Sequence, residues 1–375
     1  MARIIDLAGH SAVYATRLLA EVGHEVIRVE SPRGDNLRRL GPFLSDEQDL
    51  EHSVYHLFLN AGKKSLSLDT RANAGAQVLN ELCQTADVVV ATTPLPFDPE
   101  DLAAANPHLV ITIVSGGEVE ICAYAESGLL SITGHPGQRP VLMGGHVVYA
   151  ATGAYAAVPT AAALMVAEEI GQGDIVHVSV DECLQSLYDQ AMVTYTSTGR
   201  GTERRGYRGA VSAVSGAFPT QDGYAMFSIP GNPEGWRRFI NDWVQDPELM
   251  ADDSLADEAE RAEKRDFILD RLETWSRGFL KEDIVTESQR RHIPASPVAT
   301  PFDLAHDPQL IHRGFLREVD HPVGGRMLFP TGAIASLRGT SPGFAPRLGQ
   351  HNAELLTELG YSAAERQALL ENGIV

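Results

Sequence analysis

The stretch ARIIDLAGHSAVYATRLLAEVGHEVIRVE (Ala2–Glu30) decides the fold. Arg3–Leu7 is a short apolar run that predicts a buried strand. Ala12–Val22 sets Leu18, Leu19 and Val22 on one helical face, and Glu25–Val29 predicts a second strand. Gly23 falls where a helix C-terminus favours a left-handed residue, which supports the boundary. Strand, helix and strand in this order make a βαβ opening. A helix from about Ala72 to Thr85 follows, then strands at Asp87–Ala91 and Leu109–Ser115. Alternating strands and helices argue for a mostly parallel sheet in an α/β domain.

Further along, Ala150–Gly171 predicts one long helix, IVHVSV (Ile175–Val180) alternates like a strand, and Asp181–Tyr195 is helical again. Ser197–Val214 changes character: Gly199, Gly201, Gly206 and Gly209 alternate with arginines, as in an extended connector between two bodies. Gly216–Ile229 predicts a hairpin around Gln221-Asp222-Gly223, and Glu234–Arg291 is charged amphipathic helix, the makings of a small second domain. Ala363–Glu371 is a closing helix. No internal repeat or low-complexity tract interrupts the chain.

At 375 residues and 43% hydrophobic content the chain is long enough for a sizeable core, in one large or two intertwined domains. Its formal charge of −20 repels nucleic acid and acidic membranes, since no Lys or Arg cluster offsets the carboxylates. Neither is expected as a partner. Cys83, Cys122 and Cys183 lack the paired spacing of a zinc site or redox dithiol, so no metal is expected and a reduced cytoplasm fits best. The amino terminus lacks the apolar core and cleavage site of a secretory signal. Val147–Ala167 carries no charge over 21 residues. Alanine gives little transfer energy, Gly153 and Pro159 interrupt the run and no basic flank follows, so a buried Ala-rich helix is expected rather than a membrane span.

The opening imitates a dinucleotide fingerprint, with Gly9 after the first strand and Glu30 ending the second. It fails on glycines, because only Gly9 occupies a loop that should carry three.

Several separated stretches resemble the family III CoA-transferases, which include formyl-CoA, carnitine and benzylsuccinate CoA-transferases and the related methylacyl-CoA racemases. They are LLAEVGHEVIRVESPRGDNLRR (Leu18–Arg39), LNAGKKSLSLD (Leu59–Asp69), NPHLV (Asn106–Val110), SGLLSITGHP (Ser127–Pro136), GQGDIVHVSVDE (Gly171–Glu182) and FPTQDGY (Phe218–Tyr224). The carboxyl end is the most specific, with IPASPV (Ile293–Val298), DPQLIHRG (Asp307–Gly314) and APRLGQHNAELLTELGY (Ala345–Tyr361). The resemblance implies an α/β fold: a Rossmann-like large domain, a small α+β domain, and two subunits threaded as interlocked rings. On it, residues 1–196 are the first part of the large domain, 197–215 a Gly/Arg-rich linker, 216–305 the small domain, and 306–375 the return linker and the remainder of the large domain.

The resemblance also implies the chemistry. In the family an Asp attacks an acyl thioester to give a mixed anhydride, and CoA thiolate then returns to form an aspartyl thioester. That Asp stands four residues before the glycine that here is Gly153, and the position is Tyr149. A phenol has no carbonyl to hold CoA, and with a pKa near 10 it is a poor nucleophile at neutral pH. The racemase branch uses a His and an Asp to move a proton next to the thioester carbonyl. Counted back from Thr133-Gly134, its His position is Ala125, and its Asp position is again Tyr149. His146 remains as a displaced base or an ordinary loop histidine. Asp181 and Glu182 follow a strand and open a helix, which fits capping and the helix dipole better than catalysis; Glu234 reads as surface.

For CoA, which the family takes as a substrate and not as a tightly bound cofactor, the resemblance places Arg38, Asn60 and Lys63 near the nucleotide end, where cations suit phosphate. Where the family shows Glu-Asn-Phe-x-Pro-Gly, this chain has Ala91-Thr92-Thr93-Pro94-Leu95-Pro96, and a common arginine of that loop is missing. Three functions stay open. The chain is the nucleophile-free subunit of a heteromeric CoA-transferase, inert alone and paired with an Asp-bearing sister that supplies the exchange between an acyl-CoA and a carboxylic acid. Or it is a homodimeric acyl-CoA enzyme using other residues, His146 with Tyr149 among them. Or it binds CoA, or nothing, without chemistry.

Overall fold

The computed structural model describes residues 1–208, 212–332 and 343–375. Of the expected connector, residues 209–211 lie outside the described residues. The chain divides into two units. The first is built from Met1–Leu129, Leu142–Gly199 and Pro308–Val375, and the second from Leu130–Val141 with Arg200–Asp307.

In the first unit the opening folds as β1 (Arg3–Leu7), α1 (Val13–Glu21) and β2 (Glu25–Glu30). There follow α2 (Val54–Leu59), β3 (Lys64–Ser67), α3 (Asn73–Gln84), β4 (Val88–Thr92), α4 (Pro99–Ala105), β5 (Val110–Ser115), α5 (Glu120–Glu126) and α6 (Leu129–Ile132). Then come α7 (Val147–Ile170), β6 (Ile175–Ser179), α8 (Val180–Leu187) and α9 (Asp189–Thr198). The six strands form one parallel sheet in the order β3-β2-β1-β4-β5-β6. Helices cover both faces of such a sheet, which is why β4 (VVVAT) and β5 (VITIVS) read as apolar runs without alternation. The helix expected over Asp181–Tyr195 is two helices, because Tyr188 (φ −86°, ψ 15°) leaves the helical path between α8 and α9.

In the second unit β7 (Ser215–Thr220) and β8 (Gly223–Ser228) pair as the expected hairpin, and β9 (Ala295–Pro297) adds a third antiparallel strand. Around them lie α10 (Pro233–Phe239), α11 (Pro247–Ala251), α12 (Glu258–Glu263), α13 (Arg265–Ser276), α14 (Lys281–Arg290) and α15 (Pro301–Ala305). Phe218, Phe227, Phe239 and Trp236 join Leu269 and Ile284 in a core of this unit's own.

The tail returns to the first unit as α16 (Pro308–His312), the hairpin β10 (Leu316–His321) and β11 (Gly325–Pro330), α17 (Asn352–Glu358) and α18 (Ala363–Glu371). Leu355 and Leu356 of α17 are buried with Leu79 and Leu82 of α3 against Ile27, Val89 and Ile111 of the sheet. The chain's end thus closes the core begun by its first thirty or so residues.

The long apolar helix departs from expectation. α7 packs on α1, β5, β6 and α8, and a Cβ added at Gly153 would stand 2.7 Å from the Tyr14 Cβ and 3.0 Å from the Ala15 nitrogen, so only glycine permits the close crossing of α1. Its outer face is uncovered: Val158 is 72% exposed and Met165 70%, with Val166 and Ile170 beside them. α7 is long and apolar enough to cross a bilayer, but its inner face is fitted to the sheet and α1.

Candidate functional site

In doubly wound sheets ligands bind beyond the carboxyl ends of the strands where the order reverses, and here that point lies between β1 and β4. Gly9 leads out of β1 and donates its N–H to Thr92 Oγ1 at the end of β4 (2.6 Å). The next residue, His10, turns into a cavity of about 430 Å³. α2 supplies Tyr55 and Phe58 to its wall, and the head of α7 supplies His146 and Tyr149.

The head of α7 is shaped by its entry. Gly145 (φ 88°) and His146 (φ 51°) both adopt left-handed backbone before the helix begins, and His146 accepts the N–H groups of Tyr149 and Ala150 on its carbonyl (both 3.1 Å). A non-glycine residue held there costs of order 1 kcal/mol. The imidazole is fixed by a second bond, Nδ1 to Glu120 Oε2 at 2.7 Å, from the first residue of α5.

The rings form a cage. His10 and Tyr149 centroids are 4.2 Å apart at 42°, and Tyr55 stands edge-on to His10 (5.7 Å, 86°) and to His146 (4.9 Å, 87°). His146 and Tyr149 are parallel, 6.1 Å apart. Burial, with the neighbouring His146, pushes the His10 pKa down to about 4, so this ring is neutral at pH 7. Burial and then the Glu120 charge raise the Tyr149 and Tyr55 phenols above their ordinary value, and a backbone hydrogen bond at Glu120 opposes this for Tyr149. The lining of the cavity contains no carboxylate, lysine or arginine. A neutral phenol of raised pKa cannot form the acyl anhydride of the family reaction. Among the described residues that line the cavity, the imidazoles of His10 and His146 are the side chains of a type that transfers protons near neutral pH, and His146 is held by Glu120.

Of the residues named from the sequence, His146 and Tyr149 meet here. Arg38, Asn60 and Lys63 are inside the fold instead. Arg38, with no exposed surface, spans both Glu30 oxygens (2.7 and 2.9 Å) and Glu51 (2.9 Å). Lys63 Nζ donates to Asp6 Oδ2 (2.8 Å), Thr16 Oγ1 (2.8 Å) and Asn60 Oδ1 (3.0 Å). Burial lowers the Lys63 pKa to about 8 against the pull of Asp6, with Arg28 adding to the fall. Their polar groups are thus matched by internal partners. Asp181 and Glu182 lie in the first turn of α8, which Ser179 caps, and Glu234 is exposed in the first turn of α10. His10, Tyr55 and Glu120 were not singled out by sequence reading; the signal was there for His10, next to the lone glycine of the first βα loop. Among the described residues no group of three or more His, Cys, Asp or Glu is placed to hold a metal.

The amide of Asn60 is oriented by Lys63, so its nitrogen faces His56 Nδ1 (3.0 Å) while His56 Nε2 donates to the Pro346 carbonyl (3.2 Å). Only the neutral imidazole satisfies both. Burial, then the Arg38 charge, depress its pKa to about 4, with Glu30 and Asp35 pulling the other way. A folded-state pKa below the unfolded value of about 6.5 means the unfolded chain binds the extra proton between these values, so stability falls as pH drops from 6.5 towards 4. His56→Gln, which keeps an acceptor and a donor, is expected to flatten that part of a urea-midpoint profile by on the order of 2 kcal/mol; an unchanged acid slope would count against it.

Comparison with known proteins agrees with the fold. The pattern of CoA-transferase family III matches residues 2–352. The chain is 32% identical over 400 aligned positions to the BbsE subunit of succinyl-CoA:(R)-benzylsuccinate CoA-transferase from Thauera aromatica, covering 100% of this chain and 97% of that protein. It is 29% identical to succinyl-CoA:mesaconate CoA-transferase from Haloarcula hispanica, covering 96% and 95%. The crystal structure of a CAIB/BAIF family protein from Brucella suis superposes with a TM-score of 0.81 at 23% identity, over 96% of this chain and 98% of that one. With the sheet order, the crevice at its reversal point and a match running nearly end to end, this chain belongs to CoA-transferase family III.

Proposed function

We propose that this chain is the nucleophile-free subunit of a heteromeric CoA-transferase, paired with an Asp-bearing homologous chain that carries the covalent intermediates. One observation bears the weight: the position expected to hold the nucleophile is a buried tyrosine in a cavity whose lining has no carboxylate. The likeness to a protein named as a subunit favours the same reading. So does the uncovered apolar face of α7, with Met192, Val193 and Tyr195 of α9 also exposed, since exposed apolar residues of this kind mark surfaces that a partner covers. An interlocked partner of the family type would cover it. The acyl-CoA and the accepting carboxylic acid are then substrates of the assembly, with no resident cofactor. Unpaired cysteines suit a reduced cytoplasm.

Co-expression tests this. A homologous chain with Asp at the equivalent place should copurify at one-to-one stoichiometry, and the pair should move CoA between acids. A chain purified alone that exchanges thioesters at ordinary enzymatic speed would sink the proposal. The His146–Glu120 pair favours one rival, a self-sufficient enzyme acting on acyl-CoA through His146 with Tyr149; in that case turnover by the isolated chain would be lost in Tyr149→Phe.

A further inference from the structure

We propose that the cage of His10, Tyr55, His146 and Tyr149 seats an uncharged aromatic ring, the aryl end of a carboxylic acid or of its CoA thioester. This substrate class rests on the acyl-CoA function proposed above, but the preference is carried by the cavity itself.

Shape comes first. A space of about 430 Å³ lies within the usual range for small-ligand pockets and exceeds what one phenyl group needs. Its walls present ring faces and edges at differing angles: Tyr55 is perpendicular to two imidazoles, and Tyr149 is tilted on His10. Aromatic groups prefer such edge-to-face and offset arrangements, so a further ring finds partners here that an aliphatic chain of equal volume does not.

Charge decides against the alternative occupant, the free carboxylate of a dicarboxylic acid. No lysine or arginine lines the cavity. The buried cations around it are committed elsewhere: Arg17 to the Phe58 carbonyl (3.1 Å) and Glu21 (3.7 Å), Lys63 to Asp6, and Arg28 to Asp6 and Asp35. The His146 imidazole is already held by Glu120 at 2.7 Å. A carboxylate pushed into this space would lose water, gain no counter-charge and approach an acidic side chain.

The test uses the full chain, alone and with its copurified sister, titrated calorimetrically with 3-phenylpropanoyl-CoA, 3-cyclohexylpropanoyl-CoA, glutaryl-CoA and CoA. The phenyl thioester is expected to bind several-fold tighter than the cyclohexyl one and at least about tenfold tighter than glutaryl-CoA. Val54, 40% exposed at the start of α2, also lines the cavity, so Val54→Trp fills it from the rim without disturbing the core. It should abolish the ring preference and leave CoA affinity unchanged. Equal or tighter binding of glutaryl-CoA, or a ring preference that survives Val54→Trp, overturns the inference while the acyl-CoA function stands. If neither CoA nor any thioester binds the chain or the complex, both fall together.

Discussion

Asp6→Ala is expected to cost about 3–5 kcal/mol of folding stability, because it strands a charge in the interior. The Asp6 carboxylate has no exposed surface and all its acceptor capacity is used. Oδ1 takes the Ala8 N–H (3.0 Å) and Arg28 Nη1 (2.9 Å), and Oδ2 takes Thr16 Oγ1 and Lys63 Nζ (both 2.8 Å). Burial alone would raise its pKa, yet Lys63 and Arg28 together hold it below the usual carboxylate range. With Asp6 gone, Arg28 keeps Asp35, whereas Lys63 loses the one carboxylate within ion-pair distance of it among the described residues. The damage therefore depends on the lysine's proton. Since the Lys63 pKa is already down to about 8, the variant should recover part of its loss as pH rises beyond 9, where the amine is neutral. Replacing both partners by apolar groups, Asp6→Leu with Lys63→Met, should be far less damaging than the single change. Urea midpoints of the wild type, Asp6→Ala, Asp6→Leu, Lys63→Met and the double variant at pH 7 and 9.5 measure all of this, and additive losses in the double variant would refute the pairing.

In the heteromeric assembly proposed above, Tyr149→Phe should leave the rate within about twofold, whereas Asp→Asn at the equivalent place in the proposed sister chain should lower kcat by at least about 10³-fold. The asymmetry follows from what each group can do. An aspartate carbonyl carries first the acyl group and then CoA, and no other group in that site can replace it. The Tyr149 hydroxyl is neutral, its pKa raised by burial and by Glu120, and it loses only its contact with the Glu120 backbone when removed. Its ring keeps the tilted contact with His10 in the phenylalanine variant. If Tyr149→Phe alone cost the complex 10²-fold or more, the phenol would have a chemical task and this chain would share the turnover.

How much of this could be read from the residues alone depends on how local the signal is. β1, α1 and β2 announce themselves through apolar runs, a one-sided helix and Gly23, and α18 falls over Ala363–Glu371 as expected because its boundaries are set by neighbouring residues. Tyr149 was legible through its distance from Gly153, whose missing side chain lets α7 cross α1. The rest of the cage was not, since His10, Tyr55 and Glu120 come from three elements far apart in sequence and meet only where the strand order reverses. Nor was the fate of Arg38 and Lys63, expected near the nucleotide end of CoA but met inside the fold by Glu30 of β2 and Asp6 of β1. The inclusion of 130–141 in the second unit carries no local mark at all. The break at Tyr188 was missed because the apolar positions of α8 and α9 run on through it.

The bare stripe of Val158, Met165, Val166 and Ile170 on α7 has a consequence for production. Water does not tolerate such a stripe for long at cellular concentrations, and surplus copies with nothing to cover it will cling to one another and precipitate. In the heteromeric assembly proposed above, synthesis of this polypeptide has to keep pace with that of its partner, and a host supplied with one message alone should yield less soluble chain than one supplied with both.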